Sequence, residues 1–161
     1  MALKRQKITS FLWYDNQAEE AARFTTSIFA DSGIGKISRY GYSGPGPKGS
    51  VMVVPFRLEG QEFMALNDGQ HFRLTEAFSL VVNCETQDEV DSYWERLSAG
   101  GQKSQCRWLK GRFGLSWQIF PTALGRLLSD PAPEKSNRVM AAMLKLNQLD
   151  INGLQQAHEG R

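Results

Sequence analysis

Long apolar runs are missing from this sequence, and so is any excess of one charge. No stretch of about eighteen apolar residues occurs, so nothing is expected to span a membrane. The 19 basic and 17 acidic residues are interleaved and leave a formal charge of +2 over 161 residues. That balance excludes the basic footprint of a nucleic-acid-binding chain. Cys84 and Cys106 are the only cysteines and have no CxxC spacing. They read as reduced thiols, which places the protein in the cytoplasm. The start "MALKRQK" is basic but runs into an amphipathic strand, so no signal peptide is expected. A Gly-rich turn leading from strand to helix, as nucleotide-type cofactors require, is also lacking. "GIGK" at Gly33 follows a helix and precedes a strand, which is the wrong order.

What is present is an ordinary folded composition, 41% hydrophobic and 22% charged. "ITSFLWY" (Ile8 to Tyr14) alternates and is rich in aromatic and branched residues, as a half-buried strand requires. "DNQAEEAARFTTSIF" follows as a helix, with Asn16 and Glu19 in capping-box spacing. Ala18, Ala21, Ala22, Thr25 and Ile28 form its packing face. "ADSGIG" ends it, and "KISRYGY", "SVMVVPFRLEG" and "QEFMALND" read as three strands. The last two are joined at Glu59-Gly60-Gln61, and "SGPGPKG" is a Gly/Pro loop.

The pattern then begins again. "AFSLVVNC" is a strand, and "TQDEVDSYWERLSAGG" is a helix capped by Thr86 and Glu89, with Val90, Tyr93, Trp94 and Leu97 buried. Short strands lie at "QKSQCRW" and "GLSWQIF". The tail is helical, through "TALGRLLSD", a turn at "DPAPEK", "SNRVMAAMLKLNQ" and a last turn near "INGLQQA". Setting Ser10 against Ser79 matches Phe11 with Leu80, Trp13 with Val82 and Phe24 with Tyr93, so the chain contains an internal repeat. The expected class is α+β: one domain over residues 1–161, with paired βαβββ modules at about 7–69 and 75–121 and a helical tail at 122–158.

Two such modules bury their helix-covered faces and turn the opposite faces toward a cleft. Alternation puts Phe11, Trp13, Phe78, Leu80, Val82, Leu115, Trp117 and Ile119 under the helices. Ser10, Leu12, Ser79, Val81, Ser116, Gln118 and Phe120 become the cavity wall, with Phe63, Ala65 and Asn67 contributing. Ser10, Asn67, Ser79, Ser116 and Gln118 are thus candidate ligand contacts. His71, beside Asp68 in the segment between the modules, is a further candidate, either as a polar contact or as a general base. Trp108 and Phe113 could close over a flat ligand or pack the core. The stripe of Val139, Met140, Met143, Leu144 and Leu146 packs on its own sheet or on a partner subunit, and the partner is favoured.

The stretches "ITSFLWYDNQAEEAARFTTSIF", "NCETQDEVDSYWERLSAGG" and "WLKGRFGLSWQIFPTALGRLLSDP" together resemble the PhnB-like branch of the vicinal oxygen chelate superfamily. The likeness runs from Lys7 to about Leu154. It implies the glyoxalase/bleomycin-resistance fold and a homodimer, and it carries a frequent label of 3-demethylubiquinone-9 3-methyltransferase. Relatives commonly have an aromatic residue where Thr25 stands, and Gly and Asp where Arg107 and Gly111 stand. Metal-dependent members hold an ion with His, Gln or Glu on the inward strand faces. The corresponding positions here are Ile8, Ser10, Ala77, Ser79 and Gln118, and Gln118 stands where a Glu is usual. One amide and two hydroxyls make a poor divalent site, and His158 lies in a tail expected to fray. No metal and no cofactor are therefore expected, and no catalytic residue is assigned.

The leading expectation is a dimeric protein that binds a small molecule and has no nucleic-acid or membrane partner. The alternatives are a metal-dependent isomerase, lyase or dioxygenase, a structural dimer with a filled cleft, and, weakest, the labelled methyltransferase.

Overall fold

The computed structural model describes residues 6–161; the basic run from Met1 to Arg5 lies outside them. The chain divides into two compact units, Met1–Leu74 and Thr75–Arg161. In the first, β1 (Ser10–Tyr14) leads through Asp15–Gln17 to α1 (Ala18–Thr26), followed by β2 (Ser32–Ile34), β3 (Ser38–Arg39), β4 (Val51–Leu58) and β5 (Gln61–Asn67). The sheet order is β1-β5-β4-β2, with β3 also on β4, and β1 runs parallel to β5. The hairpin from β4 to β5 turns at Glu59 and Gly60, both with positive φ (47° and 79°). A two-residue turn needs that backbone to match the strands' twist.

α1 lays Ala18, Ala21, Ala22 and Thr25 on the sheet. These small side chains let the helix approach closely. Beneath it lie Leu12 (2% exposed), Tyr14, Val54, Phe56, Phe63 and Ala65. Phe56 and Phe63 stack with centroids 5.2 Å apart. Burying a Leu or Phe fully contributes about 1.5–3 kcal/mol.

In the second unit β6 (Ser79–Cys84) leads through only Glu85 and Thr86 to α2 (Gln87–Ser98), then β7 (Gln102–Lys103), β8 (Trp108–Lys110) and β9 (Ser116–Pro121). The order is β6-β9-β8-β7, with β6 parallel to β9. Thr86 accepts the N–H of Glu89 at 3.2 Å, and Glu89 accepts the N–H of Glu85 at 2.7 Å, so this cap forms. Val90, Trp94 and Leu97 pack against Val82, Cys84, Trp117 and Ile119, all buried.

The tail forms α3 (Thr122–Leu128), α4 (Pro133–Met143) and α5 (Ile151–Glu159). Leu124, Val139, Met143, Leu149 and Leu154 make a core of their own. The tail expected to fray is helical to Glu159 and tied down. Arg138 donates to the carbonyls of Ala157 and His158, at 2.9 and 2.7 Å, and His158 Nε2 lies 2.8 Å from Asp130. The stripe expected on α4 divides, with Val139 and Met143 inside and Met140 (41%) and Leu144 (59%) exposed.

Several expectations are corrected. The break at "ADSGIG" contains β2, and "KISRYGY" keeps only the two residues of β3. The cap expected from Asn16 and Glu19 does not form. Gln17 occupies the N-cap without a side-chain bond, and Glu19 pairs with Arg23 at 2.7 Å. Most importantly, the faces of β1 are reversed. Leu12 and Tyr14 are buried, whereas Phe11 is 57% exposed and Trp13 half-buried. Phe78, also placed under a helix, is 39% exposed.

Candidate functional site

The face of each sheet away from its helix is where alternation left room for a ligand. In the first unit that face is apolar. Register pairs Phe11 with Met64 and Trp13 with Leu66, and Phe72 meets Trp13 edge-on at 4.9 Å. The Trp13 indole N–H donates to the carbonyl of Gly69 at 2.9 Å. Ser10 and Asn67 stand on the opposite, helix-covered side, because Ser10 pairs with buried Phe63 and Asn67 with Tyr14. Asn67 is engaged there: its Oδ1 accepts the N–H of Ala18 at 2.8 Å, and its Nδ2 donates to Val51 at 3.2 Å. These two candidates therefore do not lie on the open face of the first sheet.

His71 is exposed at the rim of a pocket of about 500 Å³ beyond the ends of β1 and β5, shared with Asp15, Tyr40, Asp68 and the 45–47 loop. The Tyr40 hydroxyl donates to the Asn67 carbonyl. Burial and the neighbouring Asp68 carboxylate push its pKa upward. Asp15 is occupied by Gln70, whose Nε2 donates to it at 2.9 Å.

In the second unit Ser79, Ser116, Val81 and Gln118 share the open face, as alternation implies. Register aligns Ser79, Ser116, Lys110 and Gln102 in one polar row across β6, β9, β8 and β7. The next row holds Val81, Gln118 and Trp108. Gln118 Nε2 donates to Ser79 Oγ at 2.9 Å, and Gln118 Oε1 accepts from Arg107 Nε at 3.1 Å. Ser116 is 1% exposed, and its hydroxyl is buried without a hydrogen-bond partner. Burying such a group unpaired costs about 1–3 kcal/mol, which a ligand atom would recover. A pocket of about 420 Å³ opens over Ser116, Trp108 and Lys110, with Glu76 at its edge. Lys110 pairs with Glu76 at 2.8 Å and holds that carboxyl below its usual range.

Arg107 is the residue that the sequence reading missed. Its φ is +69°, and that of Cys106 is +52°, a conformation that glycine adopts freely and other residues rarely do. This turn is pinned from the tail, for the N–H groups of Cys106 and Arg107 donate to the carbonyls of Leu146 and Asn147 at 2.9 and 2.8 Å. The side chain is thereby carried onto the open face, its guanidinium 4.9 Å from the centre of the Phe120 ring and 3.4 Å from the Met143 sulfur. The available signal was an arginine at a position where the resemblance implies glycine.

The residues do not fit a divalent ion. Gln118, the one expected donor on the last strand, already gives its oxygen to a cation. Among the described residues no group of three or more His, Cys, Asp or Glu could hold a metal.

Residues 6–120 match the family model described as 3-demethylubiquinone-9 3-methyltransferase. A PhnB protein from Bacillus cereus is 40% identical, with a TM-score of 0.66 over 73% of this chain and 100% of that one. A Pseudomonas aeruginosa protein is 16% identical, with a TM-score of 0.60 over 73% of this chain and 98% of that one. The fosfomycin resistance protein FosX of Mesorhizobium loti is 10% identical, with a TM-score of 0.52 over 73% and 92%. The last two share the fold alone. No curated protein matches the chain. The family model stops at residue 120, just before α3, so the segment between α4 and α5 whose carbonyls pin Arg107 lies beyond it.

Proposed function

Because the chain belongs to the 3-demethylubiquinone-9 3-methyltransferase (PhnB-like) family, within the glyoxalase-fold vicinal oxygen chelate proteins, we propose that it binds a small organic molecule without a metal, on the open face of its second sheet. One observation carries this reading: the hydrogen-bonded run Ser79–Gln118–Arg107 lies on the same face as the unpartnered Ser116 hydroxyl. Oriented polar groups set among apolar ones, with a satisfied second partner behind them, are how ligand pockets fix orientation. The methyltransferase activity in the family's description is not carried over. The turns entering α1 and α2, Asp15–Gln17 and Glu85–Thr86, contain no glycine and make no cradle for a nucleotide-type methyl donor.

The protein acts as a cytoplasmic homodimer in this reading. Met140 and Leu144 support the dimer, since they leave one side of α4 apolar and exposed while the other side is packed. The reduced thiols Cys84 and Cys106 support the compartment.

The test is a thermal-shift screen of a small-molecule library against the wild type and a Gln118→Ala variant. A ligand at a hundred times its Kd stabilises by about 2.7 kcal/mol. Hits that raise the melting temperature of the wild type and lose that effect in Gln118→Ala support the site. Hits indifferent to the substitution place binding elsewhere and end the reading.

A further inference from the structure

The partners of Arg107 are an amide oxygen, a thioether and an aromatic face. None of them carries a full negative charge, and among the described residues no carboxylate pairs with this guanidinium. A part-buried cation without a counter-charge is costly unless something supplies one. The chain accepts that cost together with two successive left-handed residues, Cys106 and Arg107. Strain of this kind persists only where the surroundings over-determine it, and here the tail's carbonyls do so. Lys110, on the same face, has only an exposed carboxylate, Glu76, which a ligand can displace. Among the described residues this face therefore sets Lys110, whose counter-charge is displaceable, beside Arg107, which has no carboxylate partner.

We infer that the ligand of this face is a small organic anion whose oxyanion pairs with Arg107. The inference rests on the binding reading above and names its ligand class. A carboxylate or a phosphoryl group presents paired oxygens to the planar fork of guanidinium N–H donors. Gln118 holds the guanidinium in place through Nε, and Ser79 holds Gln118. The ligand's body then lies along Trp108 toward Ser116 and Lys110. The Gln118 and Ser116 rows are two residues apart on β9, roughly 7 Å, which suits one ring or a short chain. At the far end the Ser116 hydroxyl meets a polar atom of the ligand.

The experiment uses the full chain and three probes: benzoate, phenylphosphonate and neutral benzamide. Binding is followed by titration of the Trp108 indole and Arg107 Nε resonances. The expected result is that benzoate or phenylphosphonate shifts both signals while benzamide does not. Arg107→Gly should weaken the anion roughly tenfold or more, and Arg107→Lys should retain part of the affinity. Which of the two anions binds tighter distinguishes a carboxylate from a phosphoryl ligand. Arg107→Gly is expected to fold, because φ of +69° suits glycine. Benzamide binding as tightly as benzoate, unaffected by Arg107→Gly, would overturn the anion class and leave the binding reading intact. No shift with any probe also overturns the inference, while the binding reading is decided separately by the library screen.

Discussion

The side chain of Asn67, at the end of β5, accepts the first helical N–H of α1, from Ala18, at 2.8 Å. The helix is thus capped from a strand that lies far away in sequence, and its own N-cap residue, Gln17, contributes no side-chain bond. Asn67→Ala should cost about 1–2 kcal/mol, the usual value of an N-cap, read as a lower urea midpoint. Gln17→Ala should change the midpoint little. In α2 the order is the ordinary one, so Thr86→Ala should cost about 1 kcal/mol. Equal losses from Gln17→Ala and Asn67→Ala would show that the cap is local after all.

That contrast explains how far the sequence could be read. Thr86 and Glu89 cap α2 as expected because both partners are local. Asn67 could not be recognised as a cap because its partner is brought to it by sheet pairing. The reversed β1 face has a similar origin. Leu12 corresponds to Val82 and Tyr14 to Cys84, since each pair is buried beneath its helix. Aligning Ser10 with Ser79 is one place out for the strands but right for the helices, where Ala21 matches Val90. The turn Asp15–Gln17 is one residue longer than Glu85–Thr86 and absorbs the difference. A one-residue slip sends every strand side chain to the other face. That Ser79, Ser116 and Gln118 share one face was legible because the second module alternates cleanly. Arg107 was not, because only a left-handed backbone carries it onto the sheet.

Gly44 and Gly46 flank the ring of Tyr40. A Cβ at residue 44 would stand 2.5 Å from Tyr40 Cδ1, and one at residue 46 would stand 2.5 Å from Cε2. The ring is buried and cannot swing away without losing its bond to the Asn67 carbonyl. Gly46→Ala should therefore destabilise the protein by about 1–3 kcal/mol, as overpacking does. Chemical denaturation measures it, and an unchanged midpoint would mean that the 43–49 loop moves freely.

Cys84 is fully buried, and burial, with the Glu89 carboxylate adding to it, pushes its thiol from 9.0 up to about 12. At pH 8 the native protein should therefore keep Cys84 unreactive toward a thiol reagent such as Ellman's, and denaturation should release it. Peptide mapping after limited alkylation distinguishes it from Cys106. The unfolded thiol ionises first as pH rises. The stability associated with this group is therefore intact below about pH 9 and lost between there and about pH 12.

Asp130 has its carboxyl held below the ordinary value of 3.8, first by the N–H of Ala132 and then by His158. A depressed folded pKa means that the unfolded chain takes up the proton first as the solution is acidified. The stabilisation is thus fully present above the ordinary carboxylate range and disappears as pH falls through the folded value. Because His158 closes α5 against the segment between α3 and α4, the loss should appear first as fraying of the tail. Amide exchange at the C-terminal end of α5 should rise in acid before exchange in α2 does. Asp130→Asn keeps an oxygen for the Ala132 N–H but has no titrating group, so its tail should show a flatter pH dependence. If that variant's tail frays over the same acid range as the wild type, some group other than Asp130 controls the docking.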